Sequence, residues 1–224
     1  MASKETDFPP VEMADEDGFL AWGGDLGRDR LLQAYRSGIF PWFNPGEPIL
    51  WWAPDPRFVL FPDELKVSDS MRRLLQKAPW RVTLDNCFAD VIRACKKVKR
   101  AGQKGTWITD EMEAAYTQLH REGWAHSVEV WEEEELIGGL YGVSLGNMFF
   151  GESMFALRSN ASKYGFITLV AVLKEKGFTL IDCQVPTEHL ASLGARPIAR
   201  KEFMGLLEKG LKKPTLHGSW SQWI

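Results

Sequence analysis

Two polar side chains alternate near the end of the apolar run FTLIDCQV at residues 178–185. Because successive side chains of a β-strand point to opposite faces, Asp182 and Gln184 are predicted to share one face and to open onto the same cleft, with Cys183 pointing the other way. A carboxylate and a carboxamide placed like this can hold and orient a hydrogen-bonding group of a substrate. The alternative interpretation is that both residues only solvate the end of a strand.

Glu152 is a second candidate, because it is a carboxylate inside the otherwise apolar run FFGESMF at residues 149–155. An unpaired charge in such a strand is costly, so Glu152 is expected to meet a cation. That cation could belong to a substrate. A salt bridge to Arg158 or Lys163 is the alternative.

The cysteines and histidines form no recognisable metal-binding or disulfide pattern. The three cysteines contain no CxxC pair, and the four histidines are scattered along the chain. His189, Ser192 and Cys183 suggest nucleophilic catalysis, but the spacing places no third partner beside them. We therefore expect no disulfide framework and no metal site.

The charge balance limits how the chain could bind nucleic acid. Its 224 residues carry 27 Lys and Arg against 30 Asp and Glu, a net charge of -3. A uniformly basic, histone-like surface is excluded, so any nucleic-acid contact must be local. The N-terminus lacks the features of a signal or transit peptide, and the longest apolar stretch is far shorter than the roughly 20 residues of a membrane span. We expect a cytoplasmic protein.

Two basic clusters could follow a nucleic-acid backbone. One lies at residues 93–104, which contain no acidic residue, and the other at residues 72–81. Contacts to phosphates give salt-sensitive affinity without sequence specificity. A solvated helix face is the alternative for either cluster. The residues expected to contact the backbone are Arg72, Arg73, Lys77, Arg93, Lys96, Lys97 and Arg100.

The elements that must position these residues fall into two predicted domains. Residues 1–56, rich in Gly, Pro and Trp, are expected to form a small irregular domain with one helix at 28–36, capped by Asp25 and ended by Gly38. Residues 57–224 are expected to form the larger domain. Its predicted helices are 68–77, 88–100, 110–121 (capped by Thr109), 162–176, 188–193 and 201–211, and its predicted strands are 58–61, 81–84, 127–131, 136–143, 148–155 and 178–185.

The order of these elements predicts an α+β fold. Three antiparallel strands, a helix and a further strand form the core order of the acetyltransferase-like (GNAT-like) N-acyltransferases. We therefore expect a mixed sheet flanked by helices, with the small domain attached.

Three pairs of segments together resemble the bacterial leucyl/phenylalanyl-tRNA-protein transferases. They are SGIFPWF (37–43) with ILWWAPDPR (49–57), GGLYGV (138–143) with FFGESMF (149–155), and LIDCQ (180–184) with HLASLGA (189–195). The similarity runs in order over roughly residues 18–203. It identifies the chain as a member of that family.

The resemblance implies an activity and its partners. The donor would be leucyl- or phenylalanyl-tRNA, with Met as a further possible cargo, and the acceptor would be the α-amine of a protein that begins with Arg or Lys. The product would carry a degradation signal of the N-end rule. Because the donor ester is already activated, no ATP, metal, cofactor or covalent intermediate is needed, and the site must mainly position and desolvate its substrates. No membrane or DNA partner is implied, and we expect a monomer.

The resemblance also implies roles for particular residues. Gln184 would hold the attacking α-amine through its side-chain carbonyl, and Asp182 would orient or polarise Gln184. Since an amide is a very poor base, we favour orientation over deprotonation. Glu152 would lie beside the donor pocket and meet the aminoacyl ammonium or a basic acceptor side chain. The pocket itself would be lined by Phe149, Ser153, Met154, Phe166, Leu169 and Ile181.

Aromatic residues of the first domain are implied to meet the 3′ adenosine of the tRNA. Trp42 would stack on the base and Tyr35 would lie nearby. The alternative, that these rings pin the first domain to the second, fits Trp51 and Trp52 better.

Two other functions compete with this one. An acetyl-CoA-dependent N-acyltransferase would need a glycine-rich pyrophosphate cradle after the third strand, where this chain has RSNASK at 158–163, without glycine. A non-enzymatic RNA-binding protein would leave Glu152, Asp182 and Gln184 without a role. Within the transferases, one branch uses acidic acceptors, and Thr187 stands where characterised relatives have Asn, so acceptor preference stays open.

Overall fold

The computed structural model of the chain describes residues 8–98 and 106–224. The strands are β1 (Phe19–Trp22), β2 (Phe40–Pro41), β3 (Leu50–Trp52), β4 (Arg57–Leu60), β5 (Arg81–Leu84), β6 (Ala125–Glu132), β7 (Glu135–Leu145), β8 (Met148–Ala156), β9 (Leu180–Gln184) and β10 (Arg196–Ile198). The helices are α1 (Arg28–Arg36), α2 (Asp69–Lys77), α3 (Phe88–Lys97), α4 (Asp110–Arg121), α5 (Ala161–Glu175), α6 (Glu188–Ser192) and α7 (Arg200–Leu211). Within this described part, no helix is both long and apolar enough to cross a membrane.

A three-stranded antiparallel sheet in the order β1-β3-β2 organises the N-terminal part. Trp51 in its central strand is buried, and its indole N–H donates to the Gly23 carbonyl at 2.9 Å. The prediction of an irregular module with one helix misses this sheet, because strands of two to four residues are too short to show alternation.

The helix α1 is present as predicted, but its N-terminal cap is not the predicted one. Gly27 occupies the cap position without a side-chain hydrogen bond. The Asp25 carboxylate instead accepts from the backbone N–H of Gly27 at 2.7 Å, which closes a turn before the helix begins. Gly38 follows the helix with φ +74°, a conformation that glycine adopts readily.

The larger sheet has seven strands in the order β10-β4-β9-β8-β7-β6-β5. Only the β8–β9 pair is parallel among these described strands, and α5 forms the crossover that a parallel pair requires. The succession β6, β7, β8, α5, β9 is the predicted acetyltransferase-like order. The prediction of an α+β fold with a mixed sheet flanked by helices is therefore confirmed.

Helix boundaries follow the capping residues. Ser68 caps α2 and Thr109 caps α4, each accepting a backbone N–H three residues on, at 3.3 and 3.1 Å. The helix α3 ends at Lys97, three residues before the predicted end, and residues 99–105 lie outside the described part of the chain.

Two hydrophobic clusters lie on the two sides of the large sheet. Phe149 and Ile181 belong to one, and their strand neighbours Phe150 and Leu180 belong to the other. The second cluster also contains α1 side chains such as Leu31. The predicted domain boundary at residue 57 coincides with the start of β4, but because one cluster spans both sides of it, the division stays a prediction.

Candidate active site

The two central parallel strands separate where the candidate residues lie. Pairing of β8 with β9 ends at Phe150 and Asp182. Glu152 and Gln184 are each two residues further along, and the Gln184 Nε2 donates to Glu152 Oε1 at 2.8 Å across the opening. A cavity of about 380 Å³ lies at this point. The splayed strands therefore create the cleft that the sequence predicted.

The cavity is lined mostly by apolar and aromatic side chains from β2, β7, β8, β9, α5 and α6 and from the loops near them. It brings together most of the residues predicted to touch substrates. Those that line it are Trp42, Glu152, Ser153, Met154, Phe166, Ile181 and Gln184.

Two predicted pocket residues belong to the core instead. Phe149 is 1% exposed and packs 6.0 Å from the ring of Trp220, and Leu169 on α5 is fully buried. Neither lines the cavity. The structure does not bring them to the cavity wall, because these side chains fill the tightly packed layer between the sheet and α5, and their place in the donor pocket stays a prediction.

The aromatic residues of the N-terminal part separate into exposed and buried rings. Trp42 is 39% exposed, lines the cavity and packs at a tilt against Trp52, with 5.8 Å between ring centroids. The Trp52 indole donates to the Trp42 carbonyl at 2.6 Å, which fixes the backbone that carries Trp42. Tyr35 is fully buried and does not line the cavity, so the structure does not expose it beside Trp42, and its predicted place near an adenosine stays a prediction.

Tyr35 instead serves Glu152. Its hydroxyl donates to Glu152 Oε1 at 2.7 Å, and the Tyr116 hydroxyl lies 3.1 Å from Oε2. The two tyrosine hydroxyls also hydrogen-bond to each other. Together with Gln184, three neutral hydrogen-bonding side chains from α1, α4 and β9 therefore surround this carboxyl group.

The salt bridge considered for Glu152 is not observed. Arg158 pairs with Glu132 and Glu135, at 3.4 and 3.2 Å. Among the residues described, no Lys or Arg lies within ion-pair distance of Glu152. Hydrogen bonds from neutral groups take the place of the expected cation.

The charge of Glu152 is therefore poorly compensated. Burial raises its pKa from 4.5 to about 7, against the lowering effect of the tyrosine and Gln184 donors, and the nearby Asp182 charge adds to the rise. Proton counting agrees with this direction. The three contacts among Tyr35, Tyr116 and Glu152 can all be hydrogen bonds only if the carboxyl supplies a third proton to the two phenolic ones.

Asp182 lies behind the cavity rather than in its wall. It is fully buried and forms a two-point ion pair with Arg57, with Nε–Oδ1 at 2.9 Å and Nη2–Oδ2 at 2.6 Å. Oδ1 also accepts the backbone N–H of Gln184 at 2.9 Å. The expectation that Asp182 and Gln184 face the same cleft is thus wrong for Asp182.

The backbone at Gln184 explains this difference. Its φ of +64° is left-handed, a conformation that costs a non-glycine residue roughly 1–2 kcal/mol and breaks the strand alternation. Ile181 and Cys183 on one face of β9 line the cavity, whereas Asp182 on the other face does not. The left-handed turn brings the Gln184 side chain to the cavity side.

Part of the first basic cluster is neutralised by acidic residues of the same helix and of α4. Arg93 pairs with Glu113 at 3.1 Å and with Asp90 at 3.3 Å. Lys96 pairs with Glu113 at 2.9 Å and also with Asp110. These acidic residues on α3 and α4 lie outside the segment 93–104. The net positive charge of this surface is therefore smaller than the sequence of the segment alone indicates.

The remaining basic residues differ in how free they are. Arg72 forms an exposed pair with Asp69 at 2.8 Å, whereas the exposed Lys77 and Lys97 have no ion pair within the described ranges. Arg100 lies outside the described residues. The role of the whole set in contacting a tRNA backbone stays a prediction.

The suspected nucleophiles are not arranged for attack. Ser192 Oγ donates to the backbone carbonyl of His189 at 2.6 Å, so the two do not form a hydroxyl–imidazole pair. Burial raises the pKa of Cys183, which keeps it a neutral thiol. Across residues 8–98 and 106–224, no group of His, Cys, Asp and Glu side chains could hold a metal ion.

Several residues of the site were not found from the sequence. Arg57 and Tyr116 support the candidate residues from outside, and Trp107 lines the cavity. A signal existed for two of them. Arg57 directly precedes an apolar strand where a charge needs a partner, and Tyr116 lies on the buried face of α4, where a hydroxyl needs one.

Comparisons with known proteins cover most of the chain. A family model described as leucyl/phenylalanyl-tRNA protein transferase matches residues 59–208, and the model for the N-terminal domain of that family matches residues 24–55. A leucyl/phenylalanyl-tRNA–protein transferase of Syntrophus aciditrophicus is 63% identical over 214 residues, covering 96% of this chain and 90% of the relative. One of Pseudomonas fluorescens is 60% identical over 215 residues, covering 95% and 94%.

Solved structures show weaker likeness. The structure of L-PGS from Bacillus licheniformis is 14% identical with a TM-score of 0.41, covering 74% of this chain and 55% of that one. An aminoglycoside acetyltransferase from a soil metagenome is 16% identical with a TM-score of 0.39, covering 50% and 82%. The sequence matches, by contrast, extend over nearly the whole chain at high identity. The chain belongs to the leucyl/phenylalanyl-tRNA protein transferase family.

Proposed function

We propose that this chain transfers Leu, and also Phe or Met, from an aminoacyl-tRNA to the N-terminal α-amine of proteins that begin with Arg or Lys. Members of its family are aminoacyltransferases, and the relatives' name specifies a charged tRNA and a protein. The reaction would take place in the cytoplasm, and its product would carry a degradation signal. The observation that carries the proposal is the meeting of Trp42, an apolar pocket and the Gln184–Glu152 pair in one cavity.

The donor end of the tRNA fits the cavity in two parts. The exposed face of Trp42 can stack on the terminal adenine, an interaction that needs no base-specific hydrogen bonds. Met154, Phe166 and Ile181 line the apolar part and can take the amino-acid side chain. Because Met is flexible and Phe is flat, such a pocket accepts either Leu or Phe.

The attacking amine is placed by Gln184. Its Nε2 already donates to Glu152, so its side-chain Oε1 is left to accept from the incoming α-amine. The amine nitrogen forms the new C–N bond to the ester carbonyl, and the C–O bond to the ribose breaks. The amine's proton passes to the departing ribose hydroxyl, directly or through water. Gln184 aims the amine and does not need to act as a base.

Charge supports a basic acceptor. Among the described residues that line the cavity, Glu152 is the one acidic or basic side chain apart from His189, whose pKa burial lowers so that it stays neutral. A guanidinium or ammonium near Glu152 would stabilise its ionised form, whereas a second carboxylate would be repelled. Arg and Lys acceptors are therefore favoured over Asp and Glu.

A transfer assay tests the proposal. Radiolabelled leucyl-tRNA is incubated with peptides that differ only in their first residue, which is Arg, Lys, Asp, Glu or Ala. Label is expected to move to the Arg and Lys peptides. Transfer to the acidic peptides alone would contradict the acceptor preference, and tRNA binding without any transfer would favour the RNA-binding alternative.

The same assay tests the role of Gln184. Gln184→Ala at saturating donor is expected to lose most of the transfer rate while it still binds leucyl-tRNA. A near-normal rate for this variant would show that the amine is positioned by another group.

A further inference from the structure

Arg57 is a buried cation that lies outside the cavity. It is 1% exposed at the start of β4. Its guanidinium forms the two-point pair with Asp182 and lies over the rings of Phe40 and Phe203, 4.7 Å from each centroid. A guanidinium that contacts two aromatic rings and is paired at two points with a carboxylate has little freedom to move.

The pair with Arg57 changes what Asp182 can do for Gln184. Its carboxylate contacts the Gln184 backbone N–H and not the side-chain amide. Both of its oxygens are held by the guanidinium, and none of its hydrogen bonds among the described residues reaches the amide. Asp182 therefore acts on Gln184 through backbone geometry.

That backbone geometry decides where the Gln184 side chain points. With ordinary extended dihedral angles, strand alternation would put Gln184 on the same face as Asp182, away from the cavity. The left-handed φ of +64° places it on the cavity side. Two hydrogen bonds fix this arrangement, one from the backbone N–H to Asp182 and one from the side chain to Glu152.

The fork of Arg57 sets the plane of the Asp182 carboxylate. With Nε bound to Oδ1 and Nη2 to Oδ2, the carboxylate cannot rotate, and Oδ1 stays aimed at the Gln184 N–H. Phe40, one of the two rings that hold the fork, also lines the cavity two residues before Trp42. The same guanidinium thus contacts both the strand that leads to the adenine platform and the carboxylate that holds Gln184.

We propose that Arg57 is a positioning residue for aminoacyl transfer, which acts through Asp182 to hold Gln184 in its left-handed conformation and so aims the Gln184 side-chain oxygen at the attacking amine. This inference deepens the proposed function and rests on it. The Arg57–Asp182 ion pair aligns the acceptor amine, whereas the residues that line the cavity bind the donor.

The first test is Arg57→Lys, which keeps the charge and loses the fork. We expect kcat to fall roughly 10- to 100-fold while the KM for leucyl-tRNA stays within about threefold, since misalignment by about an ångström affects the chemical step most. An unchanged kcat would overturn the proposal. If the wild-type chain itself transferred no label, the proposed function would fail instead, so the two failures are distinguishable.

A matched control exists on the surface. Arg196 makes the same two-point contact with Glu64, at 2.8 and 3.1 Å, and lies 4.8 Å from the Phe61 ring, but it is exposed and does not line the cavity. Arg196→Lys is expected to leave kcat and KM at wild-type values. A loss of kcat equal to that of Arg57→Lys would mean that the effect of Arg57 is not specific to Gln184.

A second variant separates alignment from folding. The double change Arg57→Met with Asp182→Leu replaces a buried ion pair by apolar side chains, an exchange that other proteins tolerate in stability. We expect the double variant to fold, with a far-ultraviolet spectrum like that of the wild type, and to keep the low kcat because the Gln184 N–H has lost its anchor. Recovery of wild-type kcat in this variant would show that the pair only supports the fold.

Discussion

Two carboxylates on adjacent strands of the same sheet are treated in opposite ways. Asp182 on β9 is fully buried, and a guanidinium holds both of its oxygens. Glu152 on β8 reaches the cavity, and neutral tyrosine and glutamine donors hold it. The charge of Asp182 is compensated by an ion pair with Arg57, whereas Glu152 has no cationic partner among the described residues.

This difference separates a fixed part of the site from a responsive part. The Asp182–Arg57 pair can keep one geometry because its charge is matched inside the protein. Glu152, with its pKa raised to about 7, can gain or lose a proton near neutral pH and can respond to a cation that enters the cavity. The aminoacyl ammonium is such a cation, and under the proposed acceptor preference a basic acceptor side chain is another.

The largest expected effect comes from breaking the buried ion pair between Asp182 and Arg57. Asp182→Ala leaves the Arg57 guanidinium buried and uncompensated, and we expect the free energy of unfolding to fall by about 3–5 kcal/mol. Urea denaturation measures this. The control is Glu64→Ala, which breaks the exposed pair with Arg196 and is expected to cost at most about 1 kcal/mol. An equal fall in the free energy of unfolding in the two variants would contradict the distinction between the buried ion pair and the exposed one.

Neutralising the carboxyl group of Glu152 should raise the free energy of unfolding. Glu152→Gln mimics the protonated acid, with an N–H₂ to donate and an oxygen to accept. The folded-state pKa lies above the ordinary value of 4.5, so the stabilising contribution of this group is complete below about pH 4.5 and is lost as the pH rises through about 7. We expect the variant to be more stable than the wild type at pH 8 by on the order of 1–3 kcal/mol.

The pH dependence is the control for that experiment. The stability advantage of Glu152→Gln, measured by urea denaturation, should shrink towards zero at pH 5. Transfer to Arg peptides should fall at pH 8, where the wild-type carboxyl is ionised and the variant cannot offer a negative charge to the cation, and the two proteins should differ little at pH 5, where both are neutral at this position. An advantage of the same size at pH 5 and pH 8 would contradict the assignment of the titration to Glu152.

Trp42, at the mouth of the cavity, should contribute moderately to the binding free energy of leucyl-tRNA. Trp42→Ala removes a stacking surface that is worth about 1–3 kcal/mol per base, so the KM for leucyl-tRNA should rise roughly 5- to 150-fold. Trp22→Ala is the matched control, since Trp22 is 73% exposed in the same small sheet and does not line the cavity. Similar KM changes in both variants would contradict the placement of the adenine on Trp42.

The smallest expected effect concerns surface lysines, one with ion pairs and one without, and the salt dependence of tRNA affinity. Lys97 is exposed without an ion pair in the described part of the chain, whereas Lys96 is held by Asp110 and Glu113. If the cluster contacts the tRNA backbone, Lys97→Ala should lower the salt dependence of tRNA affinity by about one phosphate contact, and Lys96→Ala should lower it less. Titrations at several salt concentrations measure both slopes. A larger change for Lys96 would contradict the contrast.

Local signals made much of the fold predictable. The strand β5 and the helix α4 begin and end where the sequence places them, since α4 has a capping Thr109 and a buried face that repeats at helical spacing. The small sheet and β10 were missed because three of their four strands, β2, β3 and β10, have only two or three residues. Such strands are defined by their partners in space, and the pattern of neighbouring residues does not show them.

The site was predictable only in its first members. Glu152 and Gln184 stand out as polar residues in apolar strands, which is a local signal. Their supports come from far along the chain, since Tyr35 is 117 residues from Glu152, and Arg57 is 125 residues from Asp182. The left-handed backbone of Gln184, which turns it away from Asp182, has no counterpart in the residue pattern.

The most direct test of the contrast is the titration of Glu152 itself. Carboxyl resonances of protein labelled with ¹³C-glutamate are followed against pH, with Glu152→Gln to assign the signal, in the free protein and with a stable amide analogue of leucyl-adenosine. We expect a midpoint of about 7 in the free protein and a lower midpoint when the ammonium of the analogue is bound. A midpoint near the ordinary glutamate value of about 4.3, unchanged by the analogue, would contradict the account.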